Sequence, residues 1–202
     1  MKTCCFTGHR TVFFPWKDDI SDKDAQKLIS ELKCEIENAI HDGYTRFLWG
    51  GALGVDTWAA ECVVSAKEKK TNIKLAAVLP YKEYNNFVTD FRYLNAINNS
   101  DEGIIVGEHK SMSMLQMRDR YMIDNSGRII AVYDERSNLK SGTYRALCYA
   151  KEKNIEIRQM KLRCRIWQRQ RNCLWEKSIR NRKTGENMTV LQSYICRVTW
   201  EN

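Results

Sequence analysis

From residue 2 to residue 160, short apolar runs alternate with segments of helical spacing, and few folds accept that alternation. Apolar runs cover residues 2–6, 45–49, 73–79, 103–106, 128–134 and 155–160. The run at 73–79 is nearly unbroken, as a strand covered on both faces requires. Helical spacing is read over residues 25–40, 55–69, 83–98, 113–125 and 142–153. Ser21 is placed to cap the first helix, with Asp24 three residues on, and Gly43 to end it. In the third helix Tyr84, Phe87, Phe91, Leu94 and Ile97 fall on one side. The pattern predicts an α/β fold over residues 1–160: a doubly wound, mostly parallel sheet with helices on both faces. Its strand ends at Phe6, Trp49, Leu79 and Tyr133 are expected on one edge.

Within this frame residues 50–56 (Gly50-Gly51-Ala52-Leu53-Gly54-Val55-Asp56) join an apolar strand to a helix. Glycines there let the backbone take positive φ and let a ligand come close. The helix that follows begins with unpaired N–H groups and partial positive charge, which suit an anion such as phosphate. The spacing is neither the dinucleotide fingerprint nor the P-loop. A tight turn with no ligand is the alternative. Two further strand ends carry comparable residues: Thr7-Gly8-His9-Arg10, and Tyr133-Asp134 with Ser141-Gly142-Thr143 opening the next helix. Three such loops on one sheet edge form a stronger pattern than any one alone.

Residues 161–202 break the alternation. Arg163, Arg165, Arg169 and Arg171 interleave with Trp167 and Trp175, and residues 183–186 read as a hairpin turn before a β-favouring run. A small basic C-terminal β appendage is predicted. The net charge is +8, and this tail holds ten of the 33 Lys/Arg but three of the 25 Asp/Glu. Nucleic acid, an acidic partner, a subunit interface or plain solvated surface all suit such a tail. No stretch of 18 apolar residues exists, so no membrane span is expected, and the N-terminus does not read as a signal peptide. A cytoplasmic protein is expected. The eight cysteines include no CxxC pair, so reduced thiols and no metal site are expected, and no cofactor is assigned.

Four pieces of the sequence resemble the YpsA-like branch of the SLOG superfamily, which also contains the LOG phosphoribohydrolases and the DprA/Smf proteins. They are residues 6–10, residues 51–61 (Gly51-Ala52-Leu53-Gly54-Val55-Asp56 and onward), residues 116–122 around Arg118, and residues 129–134 followed by Ser141-Gly142-Thr143. The resemblance implies a Rossmann-like domain that binds a nucleotide or nucleotide-derived small molecule, often as a homo-oligomer, with no proven reaction. LOG enzymes carry PGGxGTxxE with a catalytic glutamate. Here Ala146 stands in its place and no Pro-Gly-Gly precedes it, which speaks against phosphoribohydrolase chemistry.

The candidate binding set is Thr7, Gly8, His9, Arg10, Gly50, Gly51, Ala52, Gly54, Asp56, Arg118, Tyr133, Asp134, Ser141, Gly142 and Thr143; no catalytic residue is assigned. Arg10 and Arg118 are cations suited to phosphate, although Arg118 could equally pair with Asp119 or Asp124. Asp56 is either a carboxylate favoured at a helix start or an acceptor for ribose hydroxyls. His9 reads as a binding residue, or as a general acid or base. Glu61 and Trp58 read as structural. The functional expectation is a nucleotide sensor or sequestering protein. The alternatives are hydrolysis of an N-glycosidic or phosphoester bond, and single-stranded nucleic-acid binding through the tail.

Overall fold

In the computed structural model, residues 1–86, 88–134 and 141–161 are described. Phe87 and the predicted β appendage lie outside the described residues. Strands and helices alternate: β1 (Lys2–Gly8), α1 (Lys23–His41), β2 (Tyr44–Trp49), α2 (Val55–Lys67), β3 (Lys74–Tyr81), α3 (Phe91–Asn98), β4 (Glu102–Gly107), α4 (Met112–Asp124), β5 (Arg128–Val132), α5 (Gly142–Glu152) and β6 (Glu156–Met160). Every pairing among them is parallel, in the order β4-β3-β2-β1-β5-β6. The chain steps outward from β1 to β4, then crosses back to place β5 on the other side of β1. The order reverses at that point, so the crevice of a doubly wound sheet opens between the loops leaving β1 and β5.

The strands are continuous apolar runs because both faces are covered: Cys4, Cys5 and Phe6 of β1 have no exposed surface, nor do Ile130, Ala131 and Val132 of β5. One face holds α1, α2 and α3; the other holds α4 and α5. Cys5, Leu48, Ala76, Val78 and Ile129 meet Met122 and Ile123 of α4 and Ala146 and Ala150 of α5 in one apolar cluster. The rings of Phe6 and Phe47 stack at 6.0 Å. Trp58 is buried and its ring lies 5.1 Å from that of Phe14, a core role as expected. No helix among the described residues is long and apolar enough to cross a membrane.

Two helix starts differ from expectation. Asp22, not Ser21, caps α1, accepting from Asp24 N–H at 2.8 Å and Ala25 N–H at 3.2 Å. Ser21 is already engaged: its N–H and hydroxyl both donate to Asp19 Oδ1. The helix expected over 83–98 is split into a 3-10 turn at Lys82–Asn85 and the separate α3. Asp90 caps α3, accepting from Tyr93 N–H at 2.8 Å, and its own extended backbone stops the helix from reaching back. The restart shifts the buried stripe. Tyr93 and Ala96 point inward, whereas Phe91 is 80 % exposed and Leu94 is 40 % exposed.

Candidate functional site

Parallel register puts the site loops side by side. Gly8 pairs with Val132, so the chain leaves β1 and β5 at the same level, and His9 and Tyr133 come next on each. Their rings lie 5.5 Å apart, and His9 is also ringed by Phe13 and Phe14. His9, Tyr133 and Asp134 are all buried. Burial lowers the His9 pKa below its usual value, and the negative charge of Asp134 works in the opposite direction. Asp134 thus supplies the carboxylate neighbour for His9 that sequence alone does not reveal. Thr7, near the end of β1, is also buried.

The loop at 50–56 is braced from within. Asp56, in the first turn of α2, accepts from Gly50 N–H at 3.2 Å. Arg118 of α4 donates through Nη1 to the Gly50 carbonyl. The same Nη1 lies 3.7 Å from Asp56 Oδ2, and Arg118 Nε lies 2.9 Å from Asp119 Oδ1. Both backbone groups of Gly50 are therefore held by one buried carboxylate–guanidinium pair. Two carboxylates face a single arginine here. Burial pushes Asp56 up to about 6, against the pull of Arg118. Burial likewise raises Asp119 above the usual carboxylate range, again opposed by Arg118. Burial on its own would lower Arg118, but Asp119 and Asp56 hold it above its ordinary value. Asp124 is not part of this group; it faces Lys153 at 3.1 Å and the Tyr149 hydroxyl at 3.0 Å. Glu61 pairs with Arg92 across to α3.

The glycines divide into two kinds. Gly54, the N-cap of α2, has φ +106°, and a Cβ there would lie 2.7 Å from His9 O and 2.8 Å from Thr11 N. Gly8 faces Val55, whose side chain would meet a Cβ at 2.5–2.6 Å. These positions let the β1 loop and the start of α2 touch, and Val55 N–H donates to His9 O at 3.3 Å. Gly51 has φ +64° and turns toward Leu79, while the Ala52 carbonyl accepts from the Thr57 hydroxyl at 2.9 Å. Gly142 is different: among the described residues, a Cβ there would meet nothing within 4 Å. It opens α5 next to the N-cap Ser141, whose hydroxyl accepts from Tyr144 N–H at 3.2 Å, and before the buried Thr143. Arg10 is half-buried at the end of the β1 loop, near enough to Asp56 and Asp119 for its charge to favour their ionised forms. Among the described residues no carboxylate or carbonyl pairs with its guanidinium.

Tyr144 was not among the sequence candidates. Its ring lies 6.2 Å from that of Tyr133 and is 40 % exposed. Its position directly after Ser141-Gly142-Thr143 was the available signal. Among the described residues no group of three His, Cys, Asp or Glu side chains could hold a metal ion.

A family model described as the YspA SLOG family (YpsA) matches residues 4–164. The chain belongs to this family. The SPbeta prophage-derived protein YoqJ of Bacillus subtilis is 37 % identical over 142 residues, covering 62 % of this chain and 81 % of that protein. A UPF0398 protein of Staphylococcus aureus is 24 % identical over 141 residues, covering 67 % and 74 %. Among solved structures, DNA processing protein A from Helicobacter pylori, described for its single-stranded DNA binding mode, superposes with a TM-score of 0.52 at 19 % identity. That match covers 77 % of this chain and 63 % of the other, and it shows the shared Rossmann-like fold. The SLOG resemblance read from four short motifs and the α/β architecture both hold.

Proposed function

We propose that this YpsA-family protein binds a nucleotide or nucleotide-derived ligand in the crevice between the β1 and β5 loops, and that it senses or sequesters the ligand without turning it over. The observation that carries this reading is the open start of α5. Gly142 opens a helix N-terminus where, among the described residues, nothing would meet an added Cβ; it lies on the switch point of the sheet, with His9, Tyr133 and the half-buried Arg10 on the facing loops. A phosphate fits the helix N-terminus and the guanidinium together. Asp56 and Arg118 serve the site indirectly by fixing Gly50. Ala146, where LOG enzymes have a glutamate, belongs to the apolar cluster with Met122 and Ile123, so no carboxylate reaches the crevice from that position. This supports binding over LOG-type cleavage.

The test is calorimetry of the full chain against a nucleotide panel, with chromatography of the incubated ligand. At least one nucleotide should bind, remain intact, and lose at least tenfold in affinity with Gly142→Leu, about 1.4 kcal/mol. Absence of binding across the panel overturns the reading, and product formation replaces it with the hydrolase. A second reading, single-stranded nucleic acid, draws on the ten Lys/Arg of residues 161–202 and on what the Helicobacter pylori relative binds. It requires oligonucleotide affinity that falls steeply with salt.

A further inference from the structure

Between α4 and α5 lies a cavity of about 250 Å³ that shares Asp119 and Tyr144 with the surroundings of the site above. Gln116, Asp119 and Arg120 line it from α4; Tyr144, Arg145 and Tyr149 line it from α5. In a parallel sheet both helices start at the C-terminal edge, so the cavity begins where the crevice ends. Tyr144 belongs to both places. It lines the cavity, and its ring also contacts Tyr133, which contacts His9.

The volume is below the roughly 300–1,000 Å³ of a pocket that encloses a whole drug-sized ligand, so it suits one part of a ligand. Its lining suits a particular part. Tyr144 offers a π-face, the Gln116 amide offers a donor and an acceptor, and Arg145 offers donors. Among the described residues neither Gln116 nor Arg145 has a side-chain hydrogen bond, and the Arg145 charge favours the ionised form of Asp119 in the same lining. Arg120 of the lining sits 5.3 Å from the Tyr149 ring. Stacking surface with unspent donors and acceptors is the chemistry that reads a nucleobase edge. We infer that the base of the ligand seats in the α4–α5 cavity against Tyr144, while its phosphate lies at the start of α5. This rests on the nucleotide reading of the crevice.

The experiment is calorimetry of the full chain with AMP, GMP, CMP, UMP and ribose 5-phosphate, which keeps sugar and phosphate but lacks a base. Wild type should bind its preferred nucleotide at least tenfold more tightly than ribose 5-phosphate. Tyr144→Ala should lose at least tenfold for that nucleotide and under twofold for ribose 5-phosphate, and Tyr144→Phe should retain both. Gln116→Ala, on the exposed side of α4, should alter the ratio between the tightest and weakest base at least threefold, a readout that stands if Tyr144→Ala fails to fold. Equal wild-type affinity for nucleotides and ribose 5-phosphate overturns the base site and leaves the phosphate site standing. So does a Tyr144→Ala loss equal for both probes, or an unchanged base ratio in Gln116→Ala. If no probe binds wild type, the nucleotide reading falls and takes this inference with it.

Discussion

The β1–α2 half of the loop cluster and the β5–α5 half use glycine in opposite ways. At Gly8 and Gly54 the missing Cβ is filled by the protein's own atoms, from Val55 and from the His9–Thr11 backbone. At Gly142 no described residue fills the space. At these two glycines the most distinctive stretch of sequence acts as an assembly joint, and the glycine with no described neighbour at its Cβ position lies in a plainer stretch. A glycine-rich motif reports close approach, and the approaching group can be the chain itself.

The largest expected effect breaks the joint. Gly54→Leu must place a side chain at φ +106° against backbone that cannot yield, and should cost about 4 kcal/mol in urea denaturation. Gly142→Leu should cost about 1 kcal/mol or less. Similar losses at the two positions would erase the contrast between the halves.

Next comes the brace beneath the joint. Arg118→Met takes from the buried Asp56 and the half-buried Asp119 their directly paired guanidinium, an expected loss of about 3 kcal/mol by the same measurement. Adding Asp56→Asn should recover part of it. A double variant no better than the single one would show that Arg118 acts mainly through the Gly50 carbonyl.

The brace also predicts a pH dependence. The Asp56 pKa is raised in the folded state, from 3.8 to about 6, so the native form holds a proton that the unfolded chain releases. Stability from this group is therefore present below about pH 4 and lost as pH rises through 6. Relative to wild type, Asp56→Asn should gain about 2 kcal/mol between pH 4 and pH 7. A flat difference across that range would place the titration elsewhere.

The smallest effect sharpens the open half. Gly142→Ala needs no room and adopts an ordinary helical start, so it should raise stability by about 0.5 kcal/mol through the unfolded chain. A clear loss in thermal melting would mean the position is closed.

What the sequence made legible follows from range. The strands were readable because burial on both faces leaves no polar alternation, as in 73–79. The three loops were readable because glycine, serine and threonine mark chain reversals and helix starts locally. The brace was not, since Asp56 and Arg118 sit on helices of opposite faces and meet only once the sheet is assembled. The approach of Asp134 to His9 likewise requires β5 beside β1. The start of α1 failed on a local competition, with Asp19 taking the Ser21 hydroxyl before the helix could use it. The α3 stripe failed because one cap changes the phase of every residue after it.

The central position of β1 has a consequence for how the protein is made. Its two neighbours are β2, which follows closely, and β5, which emerges only after three more strands and four helices have been synthesised. A ribosome-bound chain can zip β1 through β4 while one side of β1 stays bare, offering unpaired N–H and C=O groups to any passing strand. The crevice forms only when β5 arrives to cover that side. Translation that stalls before residue 128 should therefore yield a fragment that is both unable to bind and prone to self-association.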